Sequence, residues 1–466
     1  MSKSGLRLST AVKPLAKNSE FFPALAALIG LGTAFFTFYP GYMSYDSISQ
    51  LTQARTYVFN DHQPVIMALI WHFLDQNIFR GPAPILFLNG LAFWLALFLI
   101  LKTFLTRARW RSFFTLLIGF TPPLFVYLGI IWKDVMCGSF MLLAFALWLS
   151  AWNTLSKTQF FLGVLCFSLG FLTRYNSPAP GLPLCIFAGI VFGRIFQPTQ
   201  SSFQRHLTPL LVAMVLLVSL FGAGQALPRL LHAEKVRMWQ TILLYDLIGL
   251  SIESQTYLLP DYFKKEDPQL DLARMQALYS HEVLDTLFHP YNSDIKNLTL
   301  TRDDAKIAAL TQSWLAAVFH HPLLHLKNRW AIFKNHLGIA RHQVWYPYIR
   351  TVEPNDLDVH FTPSRWNSWV HGRIDRSKNS LLFRGWFYLL LTLLITPLFL
   401  LRRRAGIPGF WLGLSSLALF LFNFLTLPSS DFRYAWWGVI TLPILILMFF
   451  AKPPTFLSQG DREVNL

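Results

Sequence analysis

Long apolar runs separated by short polar connections dominate this chain. They fall at about 21–39, 84–104, 112–131, 135–152, 158–173, 178–196, 207–227, 381–401, 407–427 and 434–451. Several approach or exceed the roughly 20 residues with which a helix crosses a bilayer. The pattern predicts an all-α polytopic membrane protein with about ten transmembrane helices. Two stretches interrupt it. One is residues 40–82, directly after the first run; the other is residues 228–380. This divides the chain into an N-terminal transmembrane module, 1–227, a large extramembrane domain, 228–380, and a C-terminal transmembrane module, 381–466. Helical periodicity over 271–288, 303–318 and 323–336 predicts that the extramembrane domain is mainly helical, the last segment lying against the membrane.

The stretch after the first run carries the most chemistry. Ser44 stands at a helix N-cap position, which places Asp46 in the first turn. Asp46, Gln50, Gln53 and Tyr57 then recur on one polar face; Ile48, Leu51 and Val58 form another, interrupted by Arg55. This reads as a short amphipathic helix on the membrane surface. Pro64 starts a second amphipathic piece over 65–74. A first-turn carboxylate is held as the anion by free N–H groups and the helix dipole. At the lipid boundary such an anion can take a proton from an acceptor hydroxyl. It can equally do no more than stabilise its own helix, and the pattern alone leaves both open.

Hydrophobic residues make up 53% of the chain and charged residues 14%, where a soluble protein carries about a quarter charged. The formal charge of +16 would ordinarily suggest nucleic acid, but the bases fall in alternate connections. Lys3, Arg7, Lys13 and Lys17 precede the first run. Lys102, Arg107, Arg109 and Arg111, then Lys157, then Arg194 and Arg205, then Arg402, Arg403 and Arg404 follow, with Lys452 and Arg462 in the tail. That is a topology signal, not a nucleic-acid footprint. It places these connections and both termini in the cytoplasm. Asp46, Asp61, His62, Lys133, Asp134, Arg174, Asn176, residues 228–380, Asp431, Arg433 and Tyr434 then share the outer face of the cytoplasmic membrane. The first run has no small-x-small cleavage site and reads as a retained anchor. Cys137, Cys166 and Cys185 lie in or beside spans, so no disulfide framework is expected.

Several outer residues stand out individually. Lys133 and Asp134 adjoin at a span boundary, where they either reach for headgroups or fix a lipid phosphate. Arg174 sits against the topology signal; an arginine at membrane depth costs about 2.5–3.5 kcal/mol. It therefore needs a partner, either an acid from another loop or a bound anion. Asp431 and Arg433 either pair with each other or close a site with Asp46. His320, His321, His325 and His336 cluster in sequence, but Pro322 interrupts them and no acid is close, so no metal is assigned. The chain has no GxGxxG, P-loop, CxxC, HExxH or GxSxG pattern, and no cofactor is expected.

In this arrangement the chain resembles the GT-C superfamily of membrane glycosyltransferases, the group that includes dolichyl-phosphate-mannose-protein mannosyltransferases and lipid A aminoarabinose transferases. The resemblance rests on Asp46 opening the first outer loop and on Asn60 to Pro64, similar to an x-H/K-P-P element ahead of the second span. It rests also on one large late outer domain and on Asp431 to Tyr434, similar to an R-Y element at the last span. Gln63 stands where a proline is often found, and Asp46 is single where many members have paired acids. The resemblance implies sugar transfer from a polyprenyl-phosphate carrier to an envelope glycan, lipid or protein. Asp46 would be the base, with Lys133, Arg174 and Arg433 on the departing phosphate; Asp61, His62, Asp134, Asn176, Asp431 and Tyr434 would complete the substrate site. The lone acid implies metal-independent transfer with inversion. Two alternatives stand beside it: an O-antigen polymerase or ligase type enzyme, and a lipid or glycan transporter.

Overall fold

A computed structural model describes residues 20–199, 201–288, 298–339 and 347–451. The terminal bases Lys3, Arg7, Lys13, Lys17, Lys452 and Arg462 lie outside them, as do the side chains of Arg403 and Arg404. Among the described residues the secondary structure is helical, with isolated β-bridges and no strands. The N-terminal part comprises α1 (Phe21–Phe38), α2 (Tyr45–Thr56), α3 (Ile66–Asn77), α4 (Ala83–Phe104), α5 (Ala108–Gly119), α6 (Pro122–Leu128), α7 (Lys133–Thr154), α8 (Lys157–Phe171), α9 (Pro178–Phe196) and α10 (Ser202–Leu230). The long intervening stretch forms α11 (Gln240–Ser254), α12 (Asp261–Glu266), α13 (Leu272–Leu278), α14 (Asp304–His320), α15 (Pro322–His336) and α16 (Arg365–Ser377). The C-terminal part is α17 (Gly385–Leu398), α18 (Ile407–Thr426) and α19 (Trp436–Phe450).

The protein is thus an all-α polytopic membrane protein, but the count of ten spans changes. Eight described helices are long and apolar enough to cross a membrane, nine if one bent pair is a single span. The run at 112–131 is that pair: α5 and α6 meet at 73°. The cause is Pro122-Pro123, which removes two helical N–H donors and crowds the preceding turn. The run at 158–173 becomes α8, only 15 residues long. In the bundle α7 is central, 89% of its apolar window being buried, and α10 is peripheral, at 11%. Close packing of α1, α4 and α5 depends on small residues: Trp94 fills a notch where a Cβ at Gly30 or Gly119 would lie 2.3 or 2.0 Å from its ring.

The α2 segment departs from the expected surface helix. Both of its faces are covered along the middle: Gln50 and Gln53 of the polar face are buried, as is Leu51 of the apolar one, whereas Tyr57 and Val58 at its C-terminal end are exposed. The reason is cover from both sides. Ser47 Oγ donates to the Ile131 carbonyl at 2.6 Å, and Gln53 Oε1 accepts from the Asn60 amide at 3.1 Å. Arg55, which seemed to interrupt an apolar face, pairs with buried Asp75 at 3.3 Å and donates to the Leu357 carbonyl at 2.7 Å.

Residues 228–380 pack in two parts. Helices α11 to α15 share a core of Leu244, Ile248, Met275, Leu310 and Ile332. Arg329 is inside it, fully buried against Asp246 at 2.7 Å and donating to the Leu427 carbonyl at 3.0 Å. Residues 347–383 instead join the bundle core through Tyr348, Val359, Val370 and Ile374. They cover the first loop: Met43 bridges Val352, and Asn367 Nδ2 donates to the Thr37 carbonyl and the Tyr42 hydroxyl at 2.9 and 2.6 Å.

Candidate functional site

Three connections at one end of the bundle bring charged groups together. α2 begins beneath the segment 347–361, which fixes Asp46 in its first turn. Ser44 does occupy the N-cap position, but its side chain makes no cap; its Oγ accepts from Trp132 Nε1 at 2.8 Å. Lys133 opens α7, and Arg433 lies in the 3-10 turn Phe432–Ala435 that leads into α19. The Asp46 carboxylate receives Arg433 Nη1 at 2.7 Å and Lys133 Nζ at 3.8 Å on one oxygen. Its other oxygen accepts from Gln63 Nε2 at 2.9 Å. Burial would raise this carboxyl, but Lys133 and Arg433 together outweigh burial and hold it well below the usual carboxylate range.

The cluster continues away from Asp46. Arg433 Nε lies 3.1 Å from Asp431, and its guanidinium sits over the rings of Trp132 and Tyr434, 5.1 and 5.2 Å from their centroids. Arg174 also lies near the Tyr434 ring, 5.5 Å from its centroid, and pairs with Asp134 at 2.5 Å. The partner that Arg174 required is therefore an acid of another loop. Asp46, Asp134 and Asp431 face Lys133, Arg174 and Arg433, so formal charges in the cluster balance.

The other anticipated residues have different places. Asp61 points away: its Oδ1 accepts from the amides of Val236 and Arg237, at 2.9 Å for the latter, and its own amide donates to the Glu234 carbonyl. It fastens the first loop to the chain leaving α10. His62 is exposed and close enough to feel the Asp46 charge. Asn176 lines a small cavity with Asp134, Arg174 and Trp436. Gln63 and Trp132 touch the cluster directly and were not anticipated. Gln63 had stood out only as a departure from a proline, and Trp132 carried no signal beyond its neighbour Lys133.

The histidines disperse. His320 contacts its own helix carbonyl at Ala316, and His325 lies 3.9 Å from Asp246. His336 is buried behind the cluster with Nδ1 at 3.2 Å from the Asp431 carbonyl. Burial pushes its pKa down to about 4, so it is neutral there at pH 7. Among the described residues no group of three or more His, Cys, Asp or Glu side chains is placed to hold a metal ion.

No known family model matches this chain, and no curated protein and no solved structure matches it either.

Proposed function

We propose that the protein is a membrane glycosyltransferase that moves a sugar from a polyprenyl-phosphate carrier to an envelope glycan, lipid or protein at the outer face of the cytoplasmic membrane. One observation carries this reading: a carboxylate in direct contact with an arginine and a lysine at the end of a transmembrane bundle. In the reaction the acceptor hydroxyl attacks the sugar carbon and gives its proton to Asp46. The bond from that carbon to the phosphate oxygen breaks, and the lipid phosphate leaves with the electron pair. Arg433 and Lys133 stabilise the charge as it develops.

A carboxyl with so low a pKa is a poor base, because proton transfer works best near the operating pH. The donor itself supplies the correction. Its phosphate competes for Arg433 and Lys133, and as those cations turn to it Asp46 loses the charges that depress it. The base becomes effective only once the donor is in place. Arg174 acts as a brace: paired with a nearly inaccessible Asp134 and itself 10% exposed, it holds the start of α7 where Lys133 is presented.

The test is reconstitution in liposomes with either a polyprenyl-phosphate sugar or the matching nucleotide sugar outside. Transfer from the lipid-linked donor, surviving chelation by EDTA, is expected. Transfer from the nucleotide sugar alone, or complete loss on chelation, overturns the reading. Alkaline phosphatase fused within the exposed turn at residues 267–269 tests the sidedness, and should be active.

A further inference from the structure

A cavity of about 960 Å³ opens beside Asp61, walled by the C-terminal end of α10 and the chain that leaves it. Arg229, Lys235 and Arg237 line it, with His232 and the half-exposed indole of Trp239. A second, largely apolar groove runs from it between α3, α8 and α10, walled by Val65, Phe171, Leu172, Leu220 and Phe221, with Arg174 also on its lining. Tyr175, Gly224, Gln225 and Pro228 line both, so the two are continuous. The groove lies along α10, the most lipid-facing of the long helices.

We infer that this groove and cavity bind a membrane lipid with a bulky head carrying more than one negative charge, its chain in the groove and its head in the cavity; on the glycosyl-transfer reading, this lipid is the acceptor.

The charges motivate the head. Arg237 is answered by Asp304 at 2.5 Å, and the Asp61 carboxylate is engaged with backbone amides. Among the described residues, the side chains of Arg229 and Lys235 have no hydrogen-bond or ion-pair partner. Two uncompensated cations at one concave surface favour an occupant of opposite sign. The volume motivates the bulk, standing at the upper end of what holds a whole small ligand, about 300–1,000 Å³. The groove motivates the tail, since a soluble anion has no use for an apolar wall at membrane depth. The assignment as acceptor follows from separation of roles. The reacting phosphate belongs on Arg433 and Lys133, whereas Arg229 and Lys235 form a second anion point. Asp61 lines the cavity and Pro64 the groove, while Gln63 between them holds Asp46. A hydroxyl on a head in the cavity therefore approaches Asp46 across this strip.

The test uses purified full-length protein in phosphatidylcholine nanodiscs, with binding read by native mass spectrometry. The probes are phosphatidylinositol bisphosphate, phosphatidylglycerol, and soluble inositol trisphosphate as a head without a tail. Phosphatidylinositol bisphosphate should bind more tightly than either other probe. The double variant Arg229→Gln with Lys235→Gln should weaken it roughly thirtyfold, two cations each contributing as at a membrane surface. Both positions are exposed, so folding should not suffer, and thermal unfolding checks this. Gly224→Leu, at a position that lines both spaces, should weaken the tailed probe more than the soluble head. A Cβ there meets only Leu172 at 3.7 Å, so the longer side chain grows into the groove without a backbone clash. Equal binding of the bisphosphate and phosphatidylglycerol, or unchanged binding in the double variant, overturns the inference. The transferase reading fails separately. Probe binding that depends on Arg229 and Lys235, with no transfer from any lipid-linked donor, supports this site and removes that reading. Transfer with unchanged acceptor KM in the double variant removes the acceptor site and leaves the transferase.

Discussion

Stripping the two cations from Asp46 should invert the sign with which this residue responds to pH. The perturbation is Lys133→Gln combined with Arg433→Gln, compared with and without Asp46→Asn. The separations of 2.7 and 3.8 Å correspond to about 6 and about 4 kcal/mol of attraction at an effective dielectric constant of 20. Those figures are ceilings, because 28% of the Asp46 side chain is exposed and solvent screens both pairs. A coupling of about 3 kcal/mol is expected, above the ~1 kcal/mol of an exposed pair and at the lower edge of a buried one. In the wild-type protein the folded carboxyl lies below its unfolded value. Its contribution to stability is thus present above the unfolded pKa of about 3.9 and lost as pH falls through the folded value. With both cations gone, burial remains as the chief influence and raises the folded pKa above the unfolded one. Asp46 then destabilises at neutral pH, and the penalty disappears as pH falls. Thermal unfolding in nanodiscs from pH 7 to pH 4 reads this directly. Asp46→Asn should destabilise the wild-type background at pH 7 and stabilise the stripped one, with the latter gain shrinking toward pH 4. The same sign in both backgrounds would refute the electrostatic account of the site.

Three further outcomes are expected. Asp46→Asn should insert and bind donor while turnover falls about 10²–10⁴-fold, the usual contribution of a general base; near-normal turnover of the purified variant ends the claim for Asp46. Arg329→Met leaves Asp246 charged and fully enclosed, and should cost about 3–5 kcal/mol in denaturant unfolding, whereas Arg329→Met with Asp246→Leu should recover most of the loss. Gly30→Ala forces the Trp94 ring to move and should destabilise by about 1–3 kcal/mol, a loss that Trp94→Leu on the same background should relieve.

How much of this was legible depends on the range of the interactions. The spans were visible because crossing a bilayer requires a local run of apolar residues, and eight of the ten survive as continuous helices of sufficient length. The break at Thr121 was also written locally, in Pro122-Pro123, but an unbroken hydropathy run concealed it. The orientation of α2 was not legible. Helical period says which residues share a face and nothing about which face is covered. Gln50 and Gln53 are buried partly because residues from Tyr348 to Ser377, some 300 positions later, fold back over the first loop. The same range separates the charges of the site. Lys133 and Arg433 were identifiable as cations at span ends, and Arg174 as an arginine in need of a partner. That the partner is Asp134, and that Arg433 reaches Asp46 across 387 positions, required the packed bundle. Asp61 shows the same limit of range: an acid in the first loop whose carboxylate accepts from backbone amides about 175 positions later.

The balance of charge in the cluster then limits what it can do. Three acids and three cations leave no cation spare, so on the proposed reading an incoming donor phosphate must take Arg433 or Lys133 from a carboxylate already there. The acids differ in how readily they yield. Asp134 has only 1% of its side chain exposed, so its pair with Arg174 is retained. Asp431 has 49% exposed and Asp46 28%; either carboxylate can be hydrated when its cation turns away. Displacement therefore falls on the two acids around Arg433, and one of them, Asp46, is the base of the proposed reaction. Gln63 keeps its hydrogen bond to the other oxygen of Asp46, so the carboxylate stays in place while its charge environment changes. A site with one excess arginine would bind the phosphate more tightly and leave Asp46 a poor base throughout. On the proposed transferase reading, donor binding and base activation in the balanced site are one electrostatic event.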